Sequence, residues 1–259
     1  MLQKLLCYVC CIRTKDVVMM KLVFVLFLSI TSLWCHSQDR LNIDMNRIPQ
    51  KKIRSLIEEQ YTVLKVSSIR DIEPSCRRKQ SLTGYRMLES VYVVREDPET
   101  VWKMYNAISP AESWNGRMVS FGLLVSKWKE GVLYNNDSYF SGIDTGQIFY
   151  VNLKIMQGLY NLAVGLEIIE VDSVNKAIKF SYLQGGKSRG EQMIYFVPTK
   201  KGYTEIIHRT AFRSNSYIRD RFLYPYFHQI AINEFHRNMK NCIFNDKKSE
   251  QYVAQTISN

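Results

Sequence analysis

Two segments of strict period-two alternation constrain this chain more than any other feature. In Gln147 to Met156, Phe149, Val151, Leu153 and Ile155 oppose Asn152 and Lys154, and in Asn161 to Val171, Leu162, Val164, Leu166 and Ile168 oppose Gly165 and Glu167. Successive side chains of a strand point to opposite faces, so this pattern predicts strands with one dry and one wet face. Lys176 to Leu183, Glu191 to Val197 and Tyr203 to Phe212 continue the series, and Met87 to Val94 and Met118 to Val125 precede it. The breaks Asp172 to Asn175, Gly185 to Gly190 and Thr199 to Gly202 are short and rich in turn formers. Parallel neighbours would need crossovers of a dozen or more residues, so the strands are expected to be antiparallel.

A single sheet must cover its dry face. The expected cover is a helix from about Arg219 to Phe244, where Phe227, Ala231, Phe235, Met239 and Cys242 recur at three- and four-residue spacing. At about 1.5 Å per residue such a helix is close to 40 Å long and crosses the sheet. The fold class is therefore expected to be α+β: a curved antiparallel sheet of about six to seven strands packed on a long C-terminal helix. Two shorter helices are signalled before the second strand. Asp97 caps Pro98 to Asn106, with Val101, Trp102 and Tyr105 on its buried side, and Ser109-Pro110-Ala111-Glu112 marks a second turn.

The ends of the chain divide into separate parts. Residues 1–38 read as an export signal, because Leu22 to Leu33 is an uncharged apolar run behind Lys21. It is shorter than the roughly 20 residues that span a bilayer, so a removed signal is expected, with a signal-anchored membrane protein as the alternative. Met19-Met20 immediately precede Lys21 and offer a second start there, in which case residues 1–18 would be an over-extended start; the sequence leaves the true start open. The Cys7, Cys10, Cys11 cluster in them lacks a second ligand pair at zinc-site spacing. Residues 39–83 read as a helical extension and linker, with Ile53, Leu56, Ile57, Gln60, Tyr61 and Leu64 at helical spacing and Pro49 in the first turn. The main domain is expected over 84–245 and a polar tail over 246–259. The periplasm or cell envelope is the expected compartment, where Cys76 and Cys242 can either pair or remain as two thiols.

The net charge of +11 falls to +8 once the four Lys/Arg and one Asp of residues 1–38 are removed. A basic surface attracts anionic partners such as a membrane surface. The basic residues form scattered groups, Lys51-Lys52, Arg77-Arg78-Lys79, Lys200-Lys201 and Lys247-Lys248, and no nucleic-acid motif accompanies them. Nucleic acid is not an expected partner, and the sequence leaves the oligomeric state unknown.

The order strand, helix, short helix, antiparallel strands and long terminal helix is the helix-grip arrangement. Glu89 to Trp114 (ESVYVVREDPETVWKMYNAISPAESW) resembles the opening of the START-like superfamily of polyketide cyclases and lipid-transfer proteins. Ile168 to Phe212, with Glu170-Val171-Asp172 and Gly202-Tyr203-Thr204, resembles its second half. Phe180-Ser-Tyr182, Gly190-Glu191 and Phe212-Arg-Ser214 are similar to an uncharacterised plant-and-bacterial branch of it. The likeness covers roughly residues 85 to 245. It implies a cavity between sheet and helix that holds a nonpolar molecule.

Candidate ligand-binding residues follow from strand and helix parity and from the aromatic content of 12%. Trp102, Tyr150, Tyr182, Phe227 and Phe235, together with Phe180 and Tyr195, supply apolar walls and phenolic hydroxyls. His208 shares a strand face with Ile206, Thr210 and Phe212, His228 shares a helix face with Ala231, Ile232 and Phe235, and Glu191 follows the glycine-rich hairpin. His236 is expected further round towards solvent, and its spacing of eight from His228 is not that of a zinc pair. No metal, cofactor or catalytic motif is recognised. The expected function is a noncatalytic carrier or sensor for a hydrophobic small molecule or lipid. Two alternatives stand beside it: a cavity enzyme pairing His208 or His228 with Glu191, and an envelope interaction protein with a basic surface and no cavity.

Overall fold

The computed structural model describes residues 43–77 and 80–257, with side chains as far as Asp246. The expected export signal and the Cys7, Cys10, Cys11 cluster lie outside the described residues. Helix α1 spans Lys51–Thr62. Its N-cap is Gln50, so Pro49 precedes the cap instead of occupying the first turn, and the Gln50 side chain donates from Nε2 to the Phe121 carbonyl at 3.0 Å. Strand β1 (Arg86–Val94) leads to α2 (Pro98–Ala107), where Asp97 accepts the backbone N–H groups of Glu99 and Thr100. At α3 (Pro110–Ser113), Ser109 and Glu112 cap each other reciprocally.

The remaining strands are β2 (Val119–Ser126), β3 (Val132–Tyr134), β4 (Gln147–Ile155), β5 (Tyr160–Asp172), β6 (Ala177–Tyr182), β7 (Arg189–Pro198) and β8 (Thr204–Arg213). They form one antiparallel sheet of 8 strands in the order β1-β8-β7-β6-β5-β4-β2-β3. The strand beyond the expected number is β3, whose 3 residues are too few to display alternation. A π-helical turn, Arg219–Leu223, opens the long helix α4 (Tyr224–Ile257). The expected polar tail is thus a continuation of the helix, in keeping with a segment that contains neither proline nor glycine after Phe244.

The sheet is buried on both faces over much of its area, which corrects the expectation of one dry and one wet face. On the inner face, Phe149, Ile194 and Phe180 pack with Trp102 and Tyr105 of α2 and Phe235 and Met239 of α4. On the outer face, Ile53 and Ile57 of α1, with Ile48, pack against Leu123, Ile148 and Tyr150. Gly122 permits this approach, since a Cβ there would lie 2.5 Å from Ile53 Cδ1, and β2 carries a bulge at that point. Glu167, expected in water, is enclosed beside Lys127 at 2.8 Å, and burial raises its carboxyl pKa. On β1 the apolar trio Met87, Val91 and Val93 faces solvent, whereas Ser90 and Tyr92 turn inward and bond to Gln229 and Asn233 of α4.

Cys76 and Cys242 are both free thiols. Among the described residues, no helix is long and apolar enough to cross a membrane.

Because α1 completes the second core, Ile57→Ala is expected to lower the unfolding free energy by about 2–5 kcal/mol. Urea denaturation measures this, and a loss within about 0.5 kcal/mol, the range of ordinary surface changes, would mean that α1 is not part of the folded core.

Candidate functional site

The inner face and α4 touch closely along only part of the helix. Past its first three turns, Phe235 stacks on Trp114 with ring centroids 4.3 Å apart, and only about 30 Å³ of space is left there. Towards its N-terminal end the two layers part around a cavity of about 640 Å³. Val151, Leu153, Val164 and Leu166 line it from the sheet, and Tyr224, Phe227, His228 and Ala231 from the helix. Met156, Tyr160 and Leu223 belong both to its lining and to the exposed surface, so it opens to solvent between the β4–β5 hairpin and the helix start. Lys187 of the β6–β7 hairpin also lines this mouth, as does Arg219, which donates to the Lys187 carbonyl at 2.5 Å.

The sheet itself makes part of this room. Strand β6 stops at Tyr182, opposite Leu166, while β5 extends back to Tyr160 and pairs there with β4 alone. The bond from Leu183 N–H to the Gly165 carbonyl, 3.1 Å, closes the ladder. Beside the open edge of residues 160–165 the cavity reaches through to Leu56 and Gln60 of α1.

The inner wall carries one chain of polar groups. Tyr105 Oη lies 2.8 Å from His236 Nδ1, His236 Nε2 lies 2.8 Å from His208 Nδ1, and His208 Nε2 lies 2.9 Å from Gln192 Oε1. Gln192 Nε2 donates to Tyr182 Oη at 2.8 Å, and the Tyr182 and Tyr224 hydroxyls share a hydrogen bond. His228 joins from the side, with Nε2 at 3.2 Å from Thr210 Oγ1 and 3.4 Å from Gln192 Oε1. Of these, Gln192, Tyr182, Tyr224 and His228 line the cavity.

The sequence-derived candidates divide into three groups. Tyr182, Phe227 and His228 line the cavity. Trp102, Phe235 and His208 are buried in the inner layer without reaching it: Trp102 packs edge-on against Phe196, and His208 sits behind Gln192. Tyr150 and Glu191 lie elsewhere. Tyr150 belongs to the outer core and donates to Gln60 Oε1 at 2.7 Å, and Glu191 pairs with Lys179 at 3.3 Å. Tyr195, next but one to Met193, lies under the Arg209 guanidinium at 5.5 Å. His236, expected near solvent, is 3% exposed because β1 wraps over that side of the helix and lays Tyr92 on its ring at 4.1 Å. Gln192 and Tyr224 were not among the candidates. The signals were available: Gln192 has the parity of Ile194 and Phe196, and Tyr224 stands one helical turn before His228.

No group of three or more His, Cys, Asp or Glu side chains among the described residues is arranged to hold a metal ion. The histidines are held neutral instead. Burial lowers the pKa of His228 to about 4 and that of His236 to about 3, and burial together with the neighbouring histidines holds His208 well below its ordinary value. The Tyr182 hydroxyl is pushed up to about 12 by burial.

These depressed values make the fold sensitive to acid. An unfolded histidine binds a proton near pH 6.5, whereas the folded ones do not until about pH 4 or below, so the stability they allow is complete above pH 6.5 and is lost as pH falls. Each pH unit below 6.5 is expected to remove up to about 1.4 kcal/mol per histidine. Urea midpoints between pH 7 and pH 5, a window above the usual carboxylate range, read the effect. A level profile there would contradict buried neutral imidazoles.

No protein-family profile matches the chain, and no curated protein sequence does. Solved structures do resemble it at low identity. A protein of Thermus thermophilus is 13% identical, with 62% of this chain and 99% of that chain covered and a TM-score of 0.45. Norcoclaurine synthase of Thalictrum flavum, solved with a transition-state analogue, is 13% identical over 65% of this chain and 99% of its own, with a TM-score of 0.47. Major latex-like protein 151 of Panax ginseng is 10% identical over 61% of this chain and 96% of its own, with a TM-score of 0.44. These neighbours are helix-grip proteins. This chain's own architecture, an antiparallel sheet with a long terminal helix laid along one face, is the helix-grip arrangement.

Proposed function

We propose that this protein is a noncatalytic carrier or sensor that encloses a hydrophobic small molecule or lipid, acting in the cell envelope. The observation that carries the reading is the cavity of about 640 Å³, open at one end and walled mainly by aliphatic and aromatic side chains. Its size falls within the roughly 300–1,000 Å³ of small-molecule sites. Transfer of a ligand's apolar surface from water contributes about 25 cal/mol per Å², so an apolar body needs no specific partner to be held there. The enzyme alternative loses support from Glu191, whose carboxylate is paired with Lys179 while its neighbour Gln192 occupies the position beside His208 and His228. Without a paired acid and base, the histidines lack the geometry that proton transfer requires.

The test is native mass spectrometry of the full chain purified from an export-competent host, with Ala231→Trp as the comparison. The wild type is expected to retain an apolar molecule and to bind an apolar fluorescent dye. The indole added at a cavity-lining position should weaken dye binding by about tenfold or more while the protein stays folded. Equal binding by both proteins, with no copurifying mass, would remove the carrier reading.

The rim supports an anionic membrane surface as the place of loading. Met156, Leu159 and Tyr160 on one side and Phe222, Leu223 and Tyr226 on the other are all at least half exposed, with Lys187 and Arg219 beside them. Amphipathic rims of this kind bury apolar groups at a headgroup boundary and gain from anionic lipid. Cosedimentation with vesicles containing phosphatidylserine should exceed that with phosphatidylcholine alone and should weaken in high salt. Indifference to both lipid charge and salt would rule out this route.

A further inference from the structure

We infer that the ligand presents an uncharged hydrogen-bond acceptor, such as a hydroxyl oxygen, to the Tyr182–Tyr224 hydroxyl pair on the cavity wall. The inference rests on the carrier reading above and deepens it by fixing the ligand's polar chemistry. Its basis is an accounting of hydrogens along the buried chain, which can run in only one of two directions.

In the first direction the Tyr105 hydroxyl donates to His236 Nδ1, His236 Nε2–H to His208 Nδ1, and His208 Nε2–H to Gln192 Oε1. Gln192 Nε2 then donates to Tyr182 Oη. Every hydrogen from Tyr105 to Gln192 Oε1 then has an acceptor, and the second hydrogen of the Gln192 amide, a cavity-lining group, is the one left over in this stretch. In the reverse direction, with the Gln192 amide turned over, His236 Nδ1–H would donate to Tyr105 Oη, and the Tyr105 hydrogen would be left with no acceptor inside the core. Tyr105 is only 4% exposed, and among the described residues its hydroxyl has no other hydrogen-bond partner than His236. An unpaired buried donor is costly, so the first direction is selected.

That choice settles the end of the chain. The Tyr182 oxygen receives the Gln192 amide hydrogen and shares one phenolic hydrogen with Tyr224. Two phenols carry two hydrogens. Whichever of them donates to the other, one phenolic hydrogen remains without an acceptor among the described residues, on one of two side chains of the cavity wall. By the same rule the buried Thr210 hydroxyl, whose one hydrogen-bond partner among the described residues is His228 Nε2, donates to that nitrogen, so His228 adds no acceptor to this wall. A hydroxyl oxygen, which can accept the leftover phenolic hydrogen, answers it.

A charged head is disfavoured beside the phenols. The charged residues of the lining are Lys187 and Arg219, and both stand at the mouth. The histidines nearest the phenols are held neutral by burial, so neither a carboxylate nor an ammonium group would find a counter-charge there.

The experiment uses the full chain and four probes with one chain length: 1-decanol, 1-chlorodecane, decanoate and decylammonium, each displacing a bound apolar dye at pH 8. 1-Decanol is expected to bind about tenfold more tightly than 1-chlorodecane and than either ion. Tyr182→Phe/Tyr224→Phe should abolish that advantage, so that 1-decanol and 1-chlorodecane bind alike; Tyr224→Phe alone, which leaves the Gln192 amide its acceptor, serves if the double variant does not fold and should reduce the advantage. The inference is overturned, with the carrier reading intact, if 1-chlorodecane matches 1-decanol in the wild type. It is also overturned if decanoate binds best and salt weakens it, since the head then sits at Lys187 and Arg219. Failure of all four probes to displace the dye would bring down both readings.

Discussion

The carboxylate of Glu234 holds the architecture in register. It is 4% exposed and accepts the backbone N–H groups of Arg117, Met118 and Val119, at 2.9 Å for its shorter contact with each. These are the amides that open β2, so one side chain of α4 completes hydrogen bonds that the strand's start would otherwise leave unmade. Gly116 makes the approach possible, because a Cβ there would lie 2.4 Å from the carboxylate. One turn later Asn238 donates to the carbonyls of Ser113 and Asn115. The helix is thereby fixed at this point, where the Trp114 and Phe235 rings fill the interior. Its first turns meet the sheet through side chains instead, Tyr224 with Tyr182 and Phe212 and His228 with Thr210, and the cavity lies beside those contacts.

A space of this size is tolerated because the fold has a second core. The sheet beside the cavity cannot draw all its stability from the inner face, where part of its surface lines the cavity and does not pack on the helix. Its outer face supplies the difference through Ile48, Ile53, Ile57 and Tyr150. The same α1 that stabilises the sheet from behind also closes the gap beside β5, with Leu56 and Gln60 at the cavity's far wall. Residues 43–62 thus do two things that an appended helix would not do: they bury the sheet and bound the site.

Much of this was legible in the sequence, and the divide follows range of interaction. Local signals were sufficient for α2 and α3, since Asp97-Pro98 and Ser109 with Glu112 are caps that act within one turn. Alternation located seven strands and the inner face of β4, β5 and β8. The same alternation places Tyr150 opposite Phe149 and Val151, and Glu191 opposite Gln192, so the aromatic or charged character of those two drew attention that their parity did not support. What no local pattern contains is the role of Glu234, which on its helix looks like any surface acid until the amides of residues 117–119 stand before it. The gap between β5 and β6 is equally nonlocal: it arises because one partner ends at Tyr182 while the other continues to Tyr160. Gly165 and Glu167 read as wet because the amphipathic face of α1, visible in its own spacing, had no assigned destination.

The histidines bear on function through what they are already bound to. Three of the chain's four histidines meet in one chain of hydrogen bonds, an arrangement that in a solvated cleft would suggest proton transfer. Here His208 and His236 have both ring nitrogens engaged by neutral partners, and burial keeps all three uncharged. A general base needs a free lone pair and a pKa near the working pH, and these two lack both. Their chemistry is spent on orientation: a neutral imidazole passes a hydrogen bond from one nitrogen to the other, so the direction set by Tyr105 in the core is carried to the phenols of the cavity wall. A buried polar chain of this kind costs stability unless its members are satisfied, and the phenolic hydrogen left open lies on the wall where a ligand can close it.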